Sequence, residues 1–202
     1  ITLYAQNTFP MFKRMLQAFE MSKSDYEKEF DKLQLMEDES DQVEVDIADY
    51  LTKVSESRLT TENSQRVRAM FKIVSEIESV ADSILNVAKA IMRRNNQGVV
   101  FPETLHTKLF HMFSLVENSI EMMCHNLTLE YKDVNPKKAY EIEQAINNYR
   151  TLLQQEHLIA IEEKNYDYSI GILYTDIFEK KKKIGDYTIN VTEAMKEIGH
   201  NN

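Results

Sequence analysis

Leu105, Leu109, Met112, Val116, Ile120, Met123 and Leu127 follow one another three and four positions apart without a gap. At about 100° per residue that spacing puts all seven on one stripe of an α-helix. Little in the rest of the chain interrupts such stripes. Four Gly and three Pro are spread over 202 residues, so there are few places where a helix is forced to stop. Trp is absent, and Glu, Lys, Leu, Met and Ala are plentiful. The expected fold class is all-α.

Apolar spacing and punctuation divide the chain into six helical segments. The first covers residues 2–21, with Pro10 at a start or a kink. The second covers residues 24–57, where Ser24 and Glu27 have the spacing of a capping box. The third covers residues 62–95. The stretch "NNQGVVFP" then breaks the pattern and is the best internal boundary. The fourth segment covers residues 102–132, the fifth starts at Asn135-Pro136 as N-cap and first turn, and the sixth covers residues 167–199. "VADSILNVAKA" from Val80 is echoed by "IGDYTINVTEA" from Ile184. Asp82, Asn86, Val87 and Ala90 recur in step as Asp186, Asn190, Val191 and Ala194. Both copies lie in the last helix of a triplet. The expected architecture is therefore two tandem three-helix repeats, residues 1–97 and 98–202, packed side by side as left-handed, near-antiparallel bundles.

Several function classes are disfavoured. A single cysteine, Cys124, excludes an internal disulfide and suits a reducing compartment. No apolar run approaches the ~20 residues that span a bilayer, and no signal peptide is visible. The opening Ile in place of Met suggests a piece of a longer chain. The net charge of −9 disfavours nucleic acid and anionic lipid as general partners. Residues 24–58 hold twelve acids and four bases, so most of that charge sits on one helix.

The position of those acids is unusual. The apolar stripe of the second helix is Phe30, Leu33, Met36, Ile47, Ala48, Leu51 and Val54, and its middle holds Glu37, Ser40, Asp41 and Glu44. Asp38, Glu39 and Asp46 point sideways or outward. On the third helix, Glu78 and Asp82 flank the line Val67, Met70, Val74, Ile77, Ala81, Ile84, Ala88 and Ile91. Like charges four apart on one face repel. Burying four carboxylates together requires protons, basic side chains or a metal. Oxygen-only ligands on neighbouring helices favour Mg, Mn, Ca or iron. The plain alternative is a long helix whose acids simply face water.

Glu37-xxx-Asp41 within "MEDESDQVEVDIADYL", Glu78-xxx-Asp82 within "EIESVADSILNVA" and the "KKIGDYTINVTEA" segment together resemble the PhoU family over nearly the whole chain. That resemblance implies a six-helix fold of two three-helix repeats. It implies metal ligands at Glu37, Asp41, Glu78 and Asp82, with Glu44 as an extra ligand, taking Fe, Mn, Zn, Mg or Ca. It also implies a regulatory, non-enzymatic role in phosphate uptake at the cytoplasmic side of the plasma membrane, through a transporter or its uptake machinery, with a homodimer compatible. "YAQNTFPMF" looks most like the cytoplasmic domain of a sodium–phosphate cotransporter. The second repeat departs from the pattern. Lys182 stands four before Asp186, and Glu143-xxx-Asn147 has lost one carboxylate, so no metal site is carried there. Lys182 is expected to supply covalently the charge that a metal brings to the first half.

The main rival is a ferritin-like di-metal enzyme, which needs Glu-x-x-His pairs inside the bundle. Glu103/His106 and Glu197/His200 have that spacing but lie at helix ends. His111, His125 and His157 share no metal spacing, and Cys124 and His125 diverge as helical neighbours. No Gly-rich phosphate loop is present. A histidine phosphotransfer bundle and a metal-free helical scaffold complete the alternatives. No catalytic residue and no organic cofactor is assigned.

Overall fold

The computed structural model describes residues 1–199, apart from the side chains at positions 181, 182 and 199. These residues form α1 (Thr2–Ala18), α2 (Lys23–Ser55), α3 (Thr61–Asn96), α4 (Glu103–Asn126), a 3-10 turn (Tyr131–Asp133), α5 (Lys137–Glu162) and α6 (Tyr168–Gly199). The all-α expectation holds. Pro10 lies inside α1 rather than at its start.

Several boundaries differ from those expected; α1, expected to reach residue 21, ends at Ala18. The cap of α2 is Ser22, not Ser24. Its Oγ accepts from the Asp25 N–H at 3.3 Å and donates to the Asp25 carboxylate at 2.8 Å. Ser22-x-x-Asp25 thus does the work expected of Ser24 and Glu27, one half-turn earlier. The segment expected to reach residue 132 ends as α-helix at Asn126, followed by the 3-10 turn. At α5 the structural N-cap is Pro136, yet Asn135 still caps: its Oδ1 accepts the Lys137 N–H at 3.0 Å.

The α3–α4 break has a clear backbone cause. Gly98 takes φ +64° just past the helix. Gly98 N–H donates to the Asn95 carbonyl at 3.1 Å and Val99 N–H to the Arg94 carbonyl at 3.1 Å. This pair of bonds is the Schellman closure, which needs a left-handed residue that glycine adopts without Cβ strain. α5 ends the same way, through Lys164 N–H to Ile161 and Asn165 N–H to Ala160, but with Lys164 at φ +55°.

α1, α2 and α3 pack on one another, as do α4, α5 and α6, while α1–α4 and α3–α6 form the contacts between the triplets. One apolar cluster runs through both halves. α3 is its centre. Ile73, Val74, Ile77, Val80, Ala81, Ile84, Leu85, Val87, Ala88, Ala90 and Ile91 are each at most 2% exposed, more than one stripe, because α1, α2 and α6 cover it from three sides. α2 is covered by α1 and α3 alone and buries only Tyr26, Leu33 and Leu51 fully. Small residues let α6 approach its neighbours: a Cβ on Gly185 would stand 2.9 Å from Ile146 Cδ1 of α5. No described helix is long and apolar enough to cross a membrane.

Candidate metal centre

The acids of α2 and α3 meet along the α2–α3 contact. Glu37 and Glu44 are half-buried on α2, and Glu78 and Asp82 are half-buried on α3. Asp41, expected in the middle of the apolar stripe, is exposed, as are Asp38, Glu39 and Asp46. With only α1 and α3 to cover it, α2 leaves the Asp41 side of its stripe facing solvent. Val43 takes a core-facing place instead.

Electrostatics tie the four predicted ligands together. Burial pushes the Glu78 carboxyl up to about 7, and the negative charges of Glu44, Asp82 and Asp41 add to it. Burial raises Glu37 as well, reinforced by Asp41, Asp82 and Asp38 and opposed by Lys89. Glu44 is raised by burial and by Asp41. Carboxylates on both helices therefore disfavour one another's ionisation, the arrangement that a cation relieves.

Sequence reasoning missed the contribution of α1. Tyr4 is 3% exposed, and its hydroxyl accepts from Ser40 Oγ at 3.1 Å. Its phenol is pushed up to about 12 by burial, with the Ser40 bond opposing and Glu44, Glu78 and Asp41 adding. A neutral Tyr4 thus stands at the floor of the acid group. Only the "YAQNTFPMF" segment pointed toward it.

Asn86 donates to both oxygens of Asp82 at 2.9 Å. This bond holds the carboxylate along α3. Asp82 and Glu78 also reach α6: the Tyr187 phenol is raised by burial first, then by Glu76, Asp82, Asp186 and Glu78. Glu76 was not singled out in the sequence. It lies two residues before Glu78 and so about 200° around the helix, where it accepts from Asn190 Nδ2 of α6 at 3.0 Å. The repeated Asn was the available signal.

The donor set fits a hard cation, since Glu37, Asp41, Glu44, Glu78 and Asp82 offer only oxygen acceptors. Among the described residues, however, no three His, Cys, Asp or Glu side chains stand close enough to share a metal ion in their present rotamers. Coordination would require χ rotation of these long, partly exposed side chains. In the second half, Asn147 Nδ2 donates to Glu143 within α5, which occupies that carboxylate with a neutral partner. The Lys182 side chain lies outside the described residues, as does His200 of the Glu197/His200 pair. His106 is committed elsewhere. Its Nε2 lies 2.5 Å from Glu20 Oε1 and its ring stacks on Phe110 at 4.6 Å, so His106 ties α4 to the turn that follows α1. Cys124 is raised to about 11 by burial, and its thiol donates to the Ala5 carbonyl at 3.4 Å, which makes it a poor nucleophile.

Residues 1–91 match the family model of the PhoU domain. The chain is similar in fold to PhoU from Pseudomonas aeruginosa, with a TM-score of 0.82 at 13% identity, covering 98% of this chain and 95% of that one. It is also similar to the phosphate transport system regulatory protein PhoU from Streptococcus pneumoniae, with a TM-score of 0.78 at 16% identity, covering 100% and 92%. No curated protein sequence matches the chain. Residues 1–91 are thus similar to the PhoU domain, and the fold of the chain through α6 is similar to that of PhoU structures.

Proposed function

We propose that this chain is a non-enzymatic regulator of phosphate transport that binds the phosphate-uptake machinery at the cytoplasmic face of the membrane. In this reading Glu37, Asp41, Glu78 and Asp82, with Glu44 beside them, hold a divalent or trivalent cation. The observation that carries it is the group of mutually repelling carboxylates on α2 and α3 of a PhoU fold, with Glu78 pushed up to about 7. A bound cation would neutralise that group and supply a positive centre on an otherwise acidic surface. Asn86 would orient Asp82 toward it, and Tyr4 would close the site from α1. The two triplets, residues 1–97 and 98–202, act as tandem repeats, and only the first takes the metal.

The finer placement is as the cytoplasmic part of a sodium-coupled phosphate cotransporter, supported by the likeness of Tyr4 to Phe12 to such domains. The mass of the native polypeptide on a blot decides it: a band near 23.7 kDa rejects the cotransporter and leaves a free regulator.

The metal reading is tested by melting the chelator-stripped protein with added Mn, Fe, Zn, Mg or Ca. Saturation at 100 times Kd stabilises by about 2.7 kcal/mol, or roughly 5–10 °C for a chain of this length. The shift should vanish in Glu78→Ala/Asp82→Ala. If no ion moves the melt, the acids are solvated surface. The regulatory reading has its own readout: deletion of the protein should change radiolabelled phosphate uptake in cells, and unchanged uptake refutes it.

A further inference from the structure

α1 covers only the first part of α2. The two helices run antiparallel, since Arg14 Nη1 reaches Glu29 Oε2 at 2.7 Å and Ser40 Oγ donates to the Tyr4 hydroxyl at 3.1 Å. α1 begins at Thr2, just before Tyr4, whereas α2 continues past Ser40 to Ser55, about 22 Å further at 1.5 Å per residue. Among the described residues α2 touches only α1 and α3. Its last turns therefore have α3 on one side and no helix in the place that α1 holds above.

That place is lined with apolar side chains. Val43, Ile47, Tyr50 and Val54 follow one another four, three and four positions apart, the spacing of a helix–helix seam. Val43, Ile47 and Val54 are half-buried, and Tyr50 is 67% exposed. At Val43 the seam runs into a cleft of about 460 Å³ between α1 and α2. Met11, Met36 and Ala81 line it with Val43, and the exposed Asn7 and Glu39 stand at its edge. Methionine adapts its shape to what it meets, so the cleft can take an aliphatic or an aromatic side chain.

The charge beside this surface decides what covers it. Residues 41–55 hold four acids and one base. Glu39, Asp46 and Asp49 are exposed, and none is paired with a basic side chain among the described residues. Asp46 accepts the Gln42 amide at 2.9 Å, a neutral partner. A second copy of this chain is disfavoured, because seam against seam in a twofold dimer sets these acids on one another. A basic partner meets them with opposite charge.

We propose that the seam and the cleft dock an amphipathic helix of a partner protein. Its apolar stripe lies on Val43, Ile47, Tyr50 and Val54, one apolar side chain enters the cleft, and its Lys or Arg residues stand beside Glu39, Asp46 and Asp49. This is helix-in-groove recognition, in which apolar anchors three and four apart supply the affinity and flanking charges set the orientation. Tyr50 is the principal contact, since an aromatic side chain brings the largest apolar area to such an interface. The inference goes beyond the metal reading and stands without it, because the seam is built from other side chains.

The test is an NMR titration of the metal-free full chain with a synthetic Leu/Lys peptide of about 18 residues, or five helical turns, its leucines three and four apart. Two comparison peptides keep the length: one has Ser for every Leu, the other Glu for every Lys. The Leu/Lys peptide should shift resonances of Val43, Ile47, Tyr50 and Val54, and each comparison peptide should bind about tenfold more weakly. Tyr50→Ser, at an exposed position, should weaken the Leu/Lys peptide by about tenfold while the circular dichroism melt stays unchanged. Glu39→Gln/Asp46→Asn should weaken it too. Absence of shifts at these residues up to about 1 mM peptide overturns the proposal. Equal binding of the Ser/Lys peptide overturns it by showing attraction of charge alone. Sedimentation as a dimer that Tyr50→Ser converts to monomer also overturns it, because the occupant is then a second copy.

Discussion

Asn86 and Asn190 hold matching positions in the similar segments 80–90 and 184–194, yet they reach different carboxylates. Asn86 donates to both oxygens of Asp82 on its own helix, whereas Asn190 donates across the α3–α6 contact to Glu76. The same amide therefore orients an acid within the candidate metal centre in one half and joins the two halves in the other. Asn190→Ala would leave Glu76 without this partner at the contact, whereas Asn86→Ala would release Asp82 within the centre.

Glu78→Gln should remove a pH dependence from the metal-free protein. Glu78 has an ordinary value near 4.5 and is raised to about 7 in the fold. The folded state then binds more protons than the unfolded state between these values, so stability falls as pH rises from about 4.5 to 7 and levels off above. Because the side chain is substantially exposed, solvent screening reduces the effect to on the order of 1 kcal/mol. Denaturant melts at pH 5 and pH 8 should show the variant gaining about that much at pH 8 relative to the parent. Equal gains at both pH values reject the assignment.

Lys164→Gly should stabilise the protein. Lys164 holds φ +55° at the end of α5, a conformation that costs an L-residue roughly 1 kcal/mol and glycine little. Some of this gain is offset by the freedom glycine adds to the unfolded chain. A net rise of about 0.5 kcal/mol in urea melts is expected, and a fall contradicts it.

Gly185→Ala opposes two effects. Alanine improves helix propensity by about 1 kcal/mol, but its Cβ would stand 2.9 Å from Cδ1 and 3.4 Å from Cγ2 of Ile146, a residue 1% exposed. Overpacking of a filled core costs about 1–3 kcal/mol, so a net loss of about 1 kcal/mol is expected. Adding Ile146→Val removes the clashing Cδ1. In a double-mutant cycle the pair should recover at least half the loss of Gly185→Ala; strict additivity would mean that Ile146 had moved aside freely.

Tyr26→Phe removes the 2.8 Å hydrogen bond from a fully buried hydroxyl to the Ala88 carbonyl. This bond ties the start of α2 to the end of α3. Its loss should cost about 1 kcal/mol and lower Tm by roughly 2–4 °C. Calorimetry checks it, and an unchanged Tm would show that water replaces the bond.

The all-α class and the six helices were legible because they depend on local chemistry. The stripe from Leu105 to Leu127, the scarcity of Gly and Pro, and Gly98 at a left-handed helix end each act within a few residues. The acid pairs Glu37/Asp41 and Glu78/Asp82 were legible as pairs for the same reason, since four residues make one turn. Asp41 was misplaced in depth because a helical stripe says which face is shared, not how far a neighbour covers it. Tyr4 and Glu76 escaped notice because their partners Ser40 and Asn190 are distant in the chain.

Sequence by itself determined periodicity, caps and breaks, and hence that this chain is a set of long amphipathic helices with acids on the wrong face of two of them. Tertiary structure alone decided which acids are half-buried, and that Tyr4 and Tyr187 bring α1 and α6 to the carboxylates. The division has a physical reason. Helix formation is governed by interactions over three and four residues, whereas desolvation and charge coupling depend on which helices are adjacent in space.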